Sequence, residues 1–247
     1  MVSAKDIKIL IVDDDQDLLE TISTTFRLFK FDVHSLGSGN EAIDFLKSND
    51  VTIVISDIRM PNGSGVELLR FIKSRNTTTP KVLFISGFSD YSLKQMFHMG
   101  VDGFFTKPFN AGAVRDAISI SLLDLNERWR VAPKTMPTMN LNKNFFGIND
   151  AVEKKHLLIG RGGFFVAVDK GFPEEDSLVK FELRFRDGVP CADLSGLGYI
   201  RWVEVDSTAT SPSGVGVEIV HLDDRCRNMY VSWLKRQIIV PYIPMPT

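Results

Sequence analysis

The spacing of hydrophobic residues changes midway along the 247-residue chain, and no single fold class accommodates both spacings. In residues 1–125, short apolar strands alternate with stretches whose apolar residues recur every three or four positions. That alternation predicts a parallel sheet with helices on both faces. From about residue 151 the apolar residues recur every second position, which is typical of half-buried antiparallel strands. We therefore expect two domains, joined through residues 126–150.

Acidic residues follow two of the predicted parallel strands. Asp13 and Asp14 come directly after the first strand, and Asp57 follows a strand at residues 51–55. The carboxyl ends of parallel strands meet at one edge of a sheet, where such sheets bind ligands. A set of oxygen ligands suits Mg²⁺, which leaves coordination positions for a phosphoryl group. The pattern predicts a Mg²⁺ site and phosphoryl transfer to a carboxylate.

Two further strands end in polar side chains that suit the same chemistry. Ser86 follows residues 81–85 and could hydrogen-bond a phosphoryl oxygen, and Lys107 follows residues 103–105 and supplies a positive charge. Taken singly, each feature has a simpler interpretation. The aspartates could only cap a helix beginning near Gln16, and Lys107 could be a solvated loop residue. The four strand ends together favour a common site.

Four short motifs occur in the order that one signalling family uses: Ile-Val-Asp-Asp at 11–14, Ser-Asp-Ile-Arg-Met-Pro at 56–61, Phe-Ile-Ser-Gly at 84–87 and Thr-Lys-Pro-Phe at 106–109. On these motifs, residues 1–125 resemble a response regulator receiver domain. The resemblance implies a flavodoxin-like, doubly wound sheet of five parallel strands. It also implies a two-component signalling protein that catalyses only its own phosphorylation and dephosphorylation, and is not otherwise an enzyme.

The resemblance assigns roles at the acidic edge. Asp57 would accept the phosphoryl group from a sensor histidine kinase or a phosphotransfer protein. Mg²⁺ would be held by Asp13, Asp14, Asp57 and the backbone carbonyl of Arg59, and the implied cofactor is therefore Mg²⁺. Lys107 would contact the phosphoryl oxygens.

The same resemblance assigns a switch to Ser86 and Phe104. The Ser86 hydroxyl would move toward the phosphoryl group, and the Phe104 ring would turn into the vacated space. Arg59 and Phe88, each two residues beyond a site residue, would overhang the phosphoryl group and exclude water. We therefore expect a phosphoryl half-life longer than seconds.

The last helix of the first domain should begin near Ala111. Its apolar positions continue beyond the need of one domain, at Val114, Ile118, Leu122, Leu125 and Trp129. Either the first three pack on the parallel sheet while the last two contact the next domain, or the stripe forms a homodimer seam. Prolines and polar residues between 131 and 149 predict a linker with little helical tendency.

Residues 151–247 are expected to form a small antiparallel β-barrel with a C-terminal helix. One strand alternates Val179, Phe181, Leu183 and Phe185 with charged residues, and further strands are expected at 199–206 and 215–220. The closing helix should be capped by Asp223 or Asp224 and should place one set of residues on one face: Cys226, Met229, Tyr230, Trp233, Leu234 and Ile238.

The order of these pieces resembles a PilZ domain, a barrel whose well-known members bind cyclic di-GMP. The matching segments are 162–166, 198–203 and 214–218, followed by the helix. The ligand motifs are degenerate. The family's Asp/Asn-x-Ser-x-x-Gly turn aligns with residues 158–163, of which only Gly163 matches, and the arginine pair ahead of it is absent.

The remaining candidates for binding the dinucleotide are Lys154, Lys155, Arg161 and Gly163, although the three basic residues could simply be solvated. Lysine cannot supply the planar fork that reads a guanine edge. We therefore favour an output domain that acts through an unknown protein partner. The alternative is an effector that integrates phosphorylation with cyclic di-GMP binding.

Composition excludes several other classes. The net charge is −2, and no segment has the basic balance of a DNA-binding domain, so we expect no DNA partner. Cys191 and Cys226 lack metal-binding spacing and are expected to be buried apolar side chains. Residues 1–5 lack a signal-peptide core and no stretch has the length of a membrane span, which predicts a cytoplasmic protein without membrane contact.

Overall fold

The computed structural model describes residues 4–87, 91–208 and 211–246. The chain divides into two compact units. The first unit comprises residues 1–92 and 99–122, and the second comprises residues 93–98 and 123–247. Each unit has its own hydrophobic core.

The first unit is built on five parallel strands in the order β2-β1-β3-β4-β5, as the sequence predicts. The strands are β1 (Lys8–Val12), β2 (Asp32–Leu36), β3 (Ile53–Ser56), β4 (Lys81–Ser86) and β5 (Gly103–Thr106). The helices along this part of the chain are α1 (Gln16–Leu28), α2 (Gly39–Leu46), α3 (Gly65–Arg75), α4 (Leu93–Met99) and α5 (Ala111–Ser121).

Both faces of this sheet are covered. Helices α1 and α5 contribute Phe26, Val114 and Ile118 to a core that includes Ile9 of β1. Side chains alternate between the faces of a strand, so Leu10 belongs to the opposite face, where it is equally buried. This burial explains why the strands are continuously apolar and end abruptly at polar residues.

Helix α5 begins at Ala111 as expected, but it does not continue to Trp129. It ends at Ser121, and a separate short helix, α6 (Leu125–Arg128), begins after the cap residue Asp124. Trp129 is fully buried in the core of the second unit, and Leu125 packs against that core. The stripe is therefore divided between two cores, as the first alternative predicts, and it does not form one continuous helix; homodimer formation itself stays a prediction.

The second unit contains a curled six-stranded sheet in the order β6-β9-β10-β11-β8-β7. Its strands are β6 (Met139–Phe145), β7 (Leu157–Ile159), β8 (Gly163–Ala167), β9 (Leu178–Phe185), β10 (Asp193–Glu204) and β11 (Gly214–Leu222). Strand β6 runs parallel to β9, whereas the other four pairings are antiparallel. The purely antiparallel barrel is therefore wrong, and the sheet is a mixed half-barrel.

Strand β6 also corrects the expected linker at residues 126–150. Its residues pair with β9 from Met139 to Phe145, and α7 (Ile148–Glu153) follows it. The polar residues that suggested a linker lie on the exposed side of this strand, while Leu141 is buried in the core. An edge strand needs only one buried face, which leaves a weak apolar signal in the sequence.

The alternating strand is confirmed, because Val179, Phe181, Leu183 and Phe185 are all buried in β9. The closing helix is α8 (Asp224–Leu234), which follows the N-cap residue Asp223. Two residues assigned to its buried face are not buried: Met229 is exposed, and Ile238 lies beyond the helix with 93% of its surface exposed. Both cysteines are buried, as expected.

Residues 93–98 of α4 fold as part of the second unit. Phe97 lies in a cluster with Phe165, Trp202 and Tyr242, and its carbonyl accepts a hydrogen bond from the Tyr242 N–H at 2.8 Å. Lys94 forms an ion pair with Glu204. Among the helices of the described ranges, none has the length and apolar character needed to cross a bilayer.

Candidate functional site at the edge of the parallel sheet

Three carboxylates meet where β1 and β3 end. One oxygen from each of Asp13, Asp14 and Asp57 lies within 4.8 Å of the others. The strand register produces this arrangement, because Val12 pairs with Ser56 and the Asp57 N–H donates to the Val12 carbonyl at 2.9 Å. The side chains of Asp13 and Asp57 are only 4% and 13% exposed. Asp13 and Asp57 are therefore largely shielded from water, whereas Asp14 lies at the exposed side of the cluster.

The three consecutive aspartates 13–15 have different roles: one caps α1, and the other two belong to the acidic cluster. Asp15 is the N-cap of α1, and its carboxylate accepts from the Leu18 N–H at 3.1 Å. Asp13 Oδ1 in turn accepts from the Asp15 N–H at 3.1 Å, which fixes the Asp13 side chain. The capping interpretation thus applies to Asp15, and Asp13 and Asp14 take part in the cluster.

Lys107 lies within the acidic cluster and is not a solvated loop residue. Its Nζ is 2.7 Å from Asp13 Oδ2 and 3.1 Å from Asp57 Oδ2. The backbone holds it there, because the Lys107 N–H donates to the Ser86 carbonyl at 3.1 Å. One ammonium therefore bridges the acids that follow two different strands.

Burial and hydrogen bonding shift the pKa values in this pocket. Burial raises the pKa of Asp13, and this effect outweighs the opposing hydrogen bonds from Lys107 and the Asp15 backbone. Burial alone would lower the pKa of Lys107, but its hydrogen bonds to Asp13 and Asp57 outweigh that effect and raise it. The lysine is thus charged at neutral pH, and the buried carboxylate gains from any added cation.

The donor set fits a hard divalent cation. It consists of carboxylate oxygens alone, which Mg²⁺ prefers over nitrogen or sulfur. The Arg59 guanidinium is cationic and has no acceptor atom, so a ligand from this residue would have to be its backbone carbonyl. The Asp57 carboxylate is oriented by a second contact, since its Oδ1 accepts from the Ile58 N–H at 2.6 Å.

Sequence reasoning missed Gly65 as a site residue. A Cβ at this first residue of α3 would lie 2.1 Å from the Asp57 carbonyl oxygen, so only glycine allows the helix to pack against the loop after β3. The one sequence signal for this role is a glycine at the first position of a helix, directly after the cap residue Ser64. Gly65 lies eight residues beyond Asp57, and no local sequence pattern indicates that the two residues are in contact.

Ser86 and Phe104 lie on neighbouring strands. Ser86 ends β4, is buried, and pairs with Thr106 of β5, while Phe104 pairs with Phe84 and is partly buried. Both residues therefore lie close to the edge that carries the acids. Phe88 lies outside the described residues.

Two of the basic residues proposed to bind a dinucleotide, Arg161 and Lys154, instead contact other groups of the second unit. The Arg161 Nε–H donates to the Val240 carbonyl at 3.0 Å, and the guanidinium lies 5.9 Å from the centroid of the Tyr242 ring. Arg161 is buried and is not a solvated turn residue. Lys154 pairs with Asp150 at 2.7 Å on the surface of α7.

Lys155 follows α7 in a left-handed conformation with a φ of 55°. Gly163 is required for packing, because a Cβ there would lie 1.9 Å from the Val217 carbonyl oxygen. The glycine that survives from the turn motif is thus explained by the close approach of β8 and β11.

Comparison with known proteins places the first unit. Residues 9–119 match the family model of the response regulator receiver domain. The chain is 31% identical over 126 residues to the response regulator protein PilR of Pseudomonas aeruginosa, and this match covers 51% of this chain and 28% of PilR. It is 30% identical over 104 residues to the cell cycle transcriptional regulator CtrA of Caulobacter vibrioides, covering 42% of this chain and 45% of CtrA.

The chain thus spans less than half the length of these curated relatives. Among solved structures, a response regulator receiver domain protein from Clostridium thermocellum is 27% identical, with a TM-score of 0.44, and the match covers 47% of this chain and 94% of that one.

Proposed function

We propose, from the response regulator receiver domain that residues 9–119 form, that this two-component signalling protein stores its signal as an acyl phosphate on Asp57. The observation that carries the proposal is the cluster of Asp13, Asp14 and Asp57, with the Lys107 ammonium in contact with Asp13 and Asp57. The phosphodonor is a sensor histidine kinase or a phosphotransfer protein.

Asp57 is suited to be the nucleophile because its two oxygens differ in their contacts. Oδ1 accepts from the Ile58 N–H, whereas Oδ2 accepts from the Lys107 ammonium. Oδ2 forms the new bond to phosphorus while the phosphorus–nitrogen bond of the donor phosphohistidine breaks. The departing imidazole nitrogen retains the electron pair and takes a proton from solvent.

Lys107 moves with the transferred group. Its ammonium leaves Asp57 Oδ2 for a phosphoryl oxygen, while its contact with Asp13 keeps it within reach. Receiver domains bind Mg²⁺ at such an acidic pocket, and here Asp13, Asp14 and Asp57 would hold it. The bound ion supplies charge neutralisation for the loose phosphoryl transition state. The chain's own residues contribute positioning and electrostatic stabilisation.

The readout begins at Ser86. Its hydroxyl reorients toward the phosphoryl group and the partly buried Phe104 ring follows, so the signal is read as a change of shape. Ser86 ends β4, and α4 begins seven residues later at Leu93. Residues 93–98 pack within the second unit, through Phe97 against Tyr242 and Lys94 against Glu204. Chain continuity thus connects the switch to a helix of the output unit.

For the output we propose binding to a protein partner by a PilZ-like unit. Arg161 is the basic residue best suited to bind a nucleotide, but it already donates to the Val240 carbonyl and contacts the Tyr242 ring. These contacts favour a protein partner over nucleotide binding. Calorimetric titration with cyclic di-GMP distinguishes the two. An affinity tighter than about 10 μM would favour the nucleotide-binding alternative.

Phosphorylation by acetyl phosphate tests the proposal for the receiver. In Mg²⁺ the full chain should gain the mass of one phosphoryl group, and Asp57→Asn should gain none. Asp15→Asn is the matched control, because Asp15 caps α1 and should leave incorporation intact. Equal incorporation by Asp57→Asn and the parent protein would contradict the proposal.

A further inference from the structure

The only two cysteines of the chain lie against each other in the second unit. Cys191 precedes β10, and Cys226 is in the first turn of α8. Both side chains belong to the same hydrophobic core, and each thiol is close enough to shift the pKa of the other. Thirty-four residues separate them in sequence, so their meeting is a product of the fold.

A surface cleft of about 640 Å³ reaches this pair. Both cysteines line it, together with Lys180, Asp223 and Arg225. The cleft also includes Asp193 and Asp224, whose side chains are 58% and 86% exposed, so its mouth is in contact with solvent. The cysteines themselves are only 2% and 1% exposed, so an oxidant would meet the thiols at the floor of this cleft.

The two thiols are not equivalent. Cys226 is the third residue of an 11-residue helix, where the positive end of the helix dipole favours a thiolate. Its Sγ–H donates to the Asp223 carbonyl at 3.4 Å and to the Ser195 carbonyl at 3.7 Å, two weak hydrogen bonds that fix the sulfur and that ionisation must break. The hydrogen bond with Cys191 lowers the pKa of Cys226 to about 7, against the effect of burial. The same contact raises the pKa of Cys191.

We infer that Cys191 and Cys226 form a reversible dithiol–disulfide site that is oxidised by hydroperoxides through the cleft. The Cys226 thiolate attacks a peroxide oxygen, the O–O bond breaks, and the departing hydroxide takes a proton to become water. Cys226 is then a sulfenic acid. The Cys191 sulfur attacks it, the S–S bond forms, and the second oxygen leaves as water with the remaining thiol proton.

The balance is two thiols and one hydrogen peroxide giving one disulfide and two water molecules. The disulfide joins the first turn of α8 to the segment that enters β10. Because α8 packs against the core of the second unit, a disulfide there would restrain this helix against unfolding. A low-molecular-weight thiol restores the reduced form by thiol–disulfide exchange.

Intact-mass spectrometry of the reduced full chain treated with hydrogen peroxide tests this inference. We expect the loss of two hydrogens, a peptide cross-link between Cys191 and Cys226, and full reversal by dithiothreitol. Oxidised protein should also show a higher thermal midpoint for the second unit. This measurement uses the natural chain and does not depend on variants.

Cys191→Ser and Cys226→Ser then assign the roles. With Cys191 replaced, Cys226 should accumulate a sulfenic acid that dimedone traps. With Cys226 replaced, Cys191 should react at least tenfold more slowly. Three outcomes would overturn the inference: thiols that stay reduced in peroxide, cross-links only between chains, or oxidation of each sulfur to a sulfinic acid without a disulfide.

Discussion

At the scale of single residues, the site has an excess of negative charge that a bound cation would neutralise. Of the three clustered carboxylates, Asp13 and Asp57 contact the Lys107 ammonium, and the acid with the raised pKa, Asp13, is the most buried of the three. Because the folded pKa of Asp13 lies above its unfolded value, ionising this group costs stability. The cost appears as the pH rises through the folded pKa.

Mg²⁺ should therefore stabilise the protein more at neutral than at acidic pH. At a concentration about 100-fold above its dissociation constant, we expect a gain of about 2–3 kcal/mol near pH 7.5 and a smaller gain as the pH falls toward the raised pKa of Asp13. Protonation of Asp13 competes with the ion for the same oxygens. Thermal unfolding with and without Mg²⁺ measures the effect, and Asp13→Asn should abolish most of it. A gain independent of pH would contradict this account.

Removing the Lys107 ammonium should destabilise the Mg²⁺-free protein. Lys107→Ala leaves buried carboxylates without their partner, and we expect a loss of about 1–3 kcal/mol in the free energy of unfolding. Lys47→Ala is the control, because its ion pair with Asp44 is exposed and should contribute under about 1 kcal/mol. Denaturant titration compares the two variants. Equal losses would mean that Lys107 is not held by the acids.

At the scale of elements, the sequence predicts this site well because the site residues all lie at or directly after the ends of strands of one parallel sheet. Strand ends can be located from local pattern alone, and parallel topology then brings Asp13, Asp57, Ser86 and Lys107 to one edge. The packing of α3 against the loop after β3 could not be predicted in this way, because it depends on the close approach of Gly65 to Asp57.

Gly65→Ala tests that packing. The added Cβ would lie 2.1 Å from the Asp57 carbonyl oxygen, so the loop must move, and we expect a loss of about 1–3 kcal/mol together with slower phosphorylation. Gly87→Ala is the matched control near the same site, since its Cβ would meet Lys107 Cβ at an ordinary 3.8 Å. Denaturant titration and acetyl phosphate kinetics provide the two measurements. An undisturbed Gly65→Ala variant would show that the approach tolerates a side chain.

Elements of the second unit were predicted only in part, for a physical reason. Alternation identifies β9, but the parallel pairing of β6 with β9 is a long-range choice that no local pattern encodes. The break between α5 and α6 likewise depends on which core receives Trp129.

Trp129→Ala should therefore unfold the second unit selectively. Removing this fully buried ring should cost about 3–5 kcal/mol, whereas Ile238→Ala, at a 93% exposed position, should change stability little. Trp and Tyr fluorescence and hydrogen exchange can separate the two units. The predicted loss is confined to the unit that contains β6 to β11, and a loss confined to the parallel sheet would contradict it.

At the scale of the whole molecule, we expect phosphorylation to act on the second unit through α4, because residues 93–98 pack within that unit. The Tyr242 N–H donates to the Phe97 carbonyl, and the Met245 N–H donates to His98 Nδ1 at 3.1 Å. We expect phosphorylation to weaken these contacts, so that the Tyr242 amide exchanges faster. The Ile219 amide, which donates to the Gly162 carbonyl, should not change. Unchanged exchange at Tyr242 would exclude this route.

The most direct test of the central claim is to locate the phosphoryl group chemically. After reaction with acetyl phosphate and Mg²⁺, borohydride reduction converts an aspartyl phosphate into homoserine, which tandem mass spectrometry assigns to a residue. We predict homoserine at position 57 alone. Homoserine at Asp13 or Asp14 instead, or none at any position, would contradict the account.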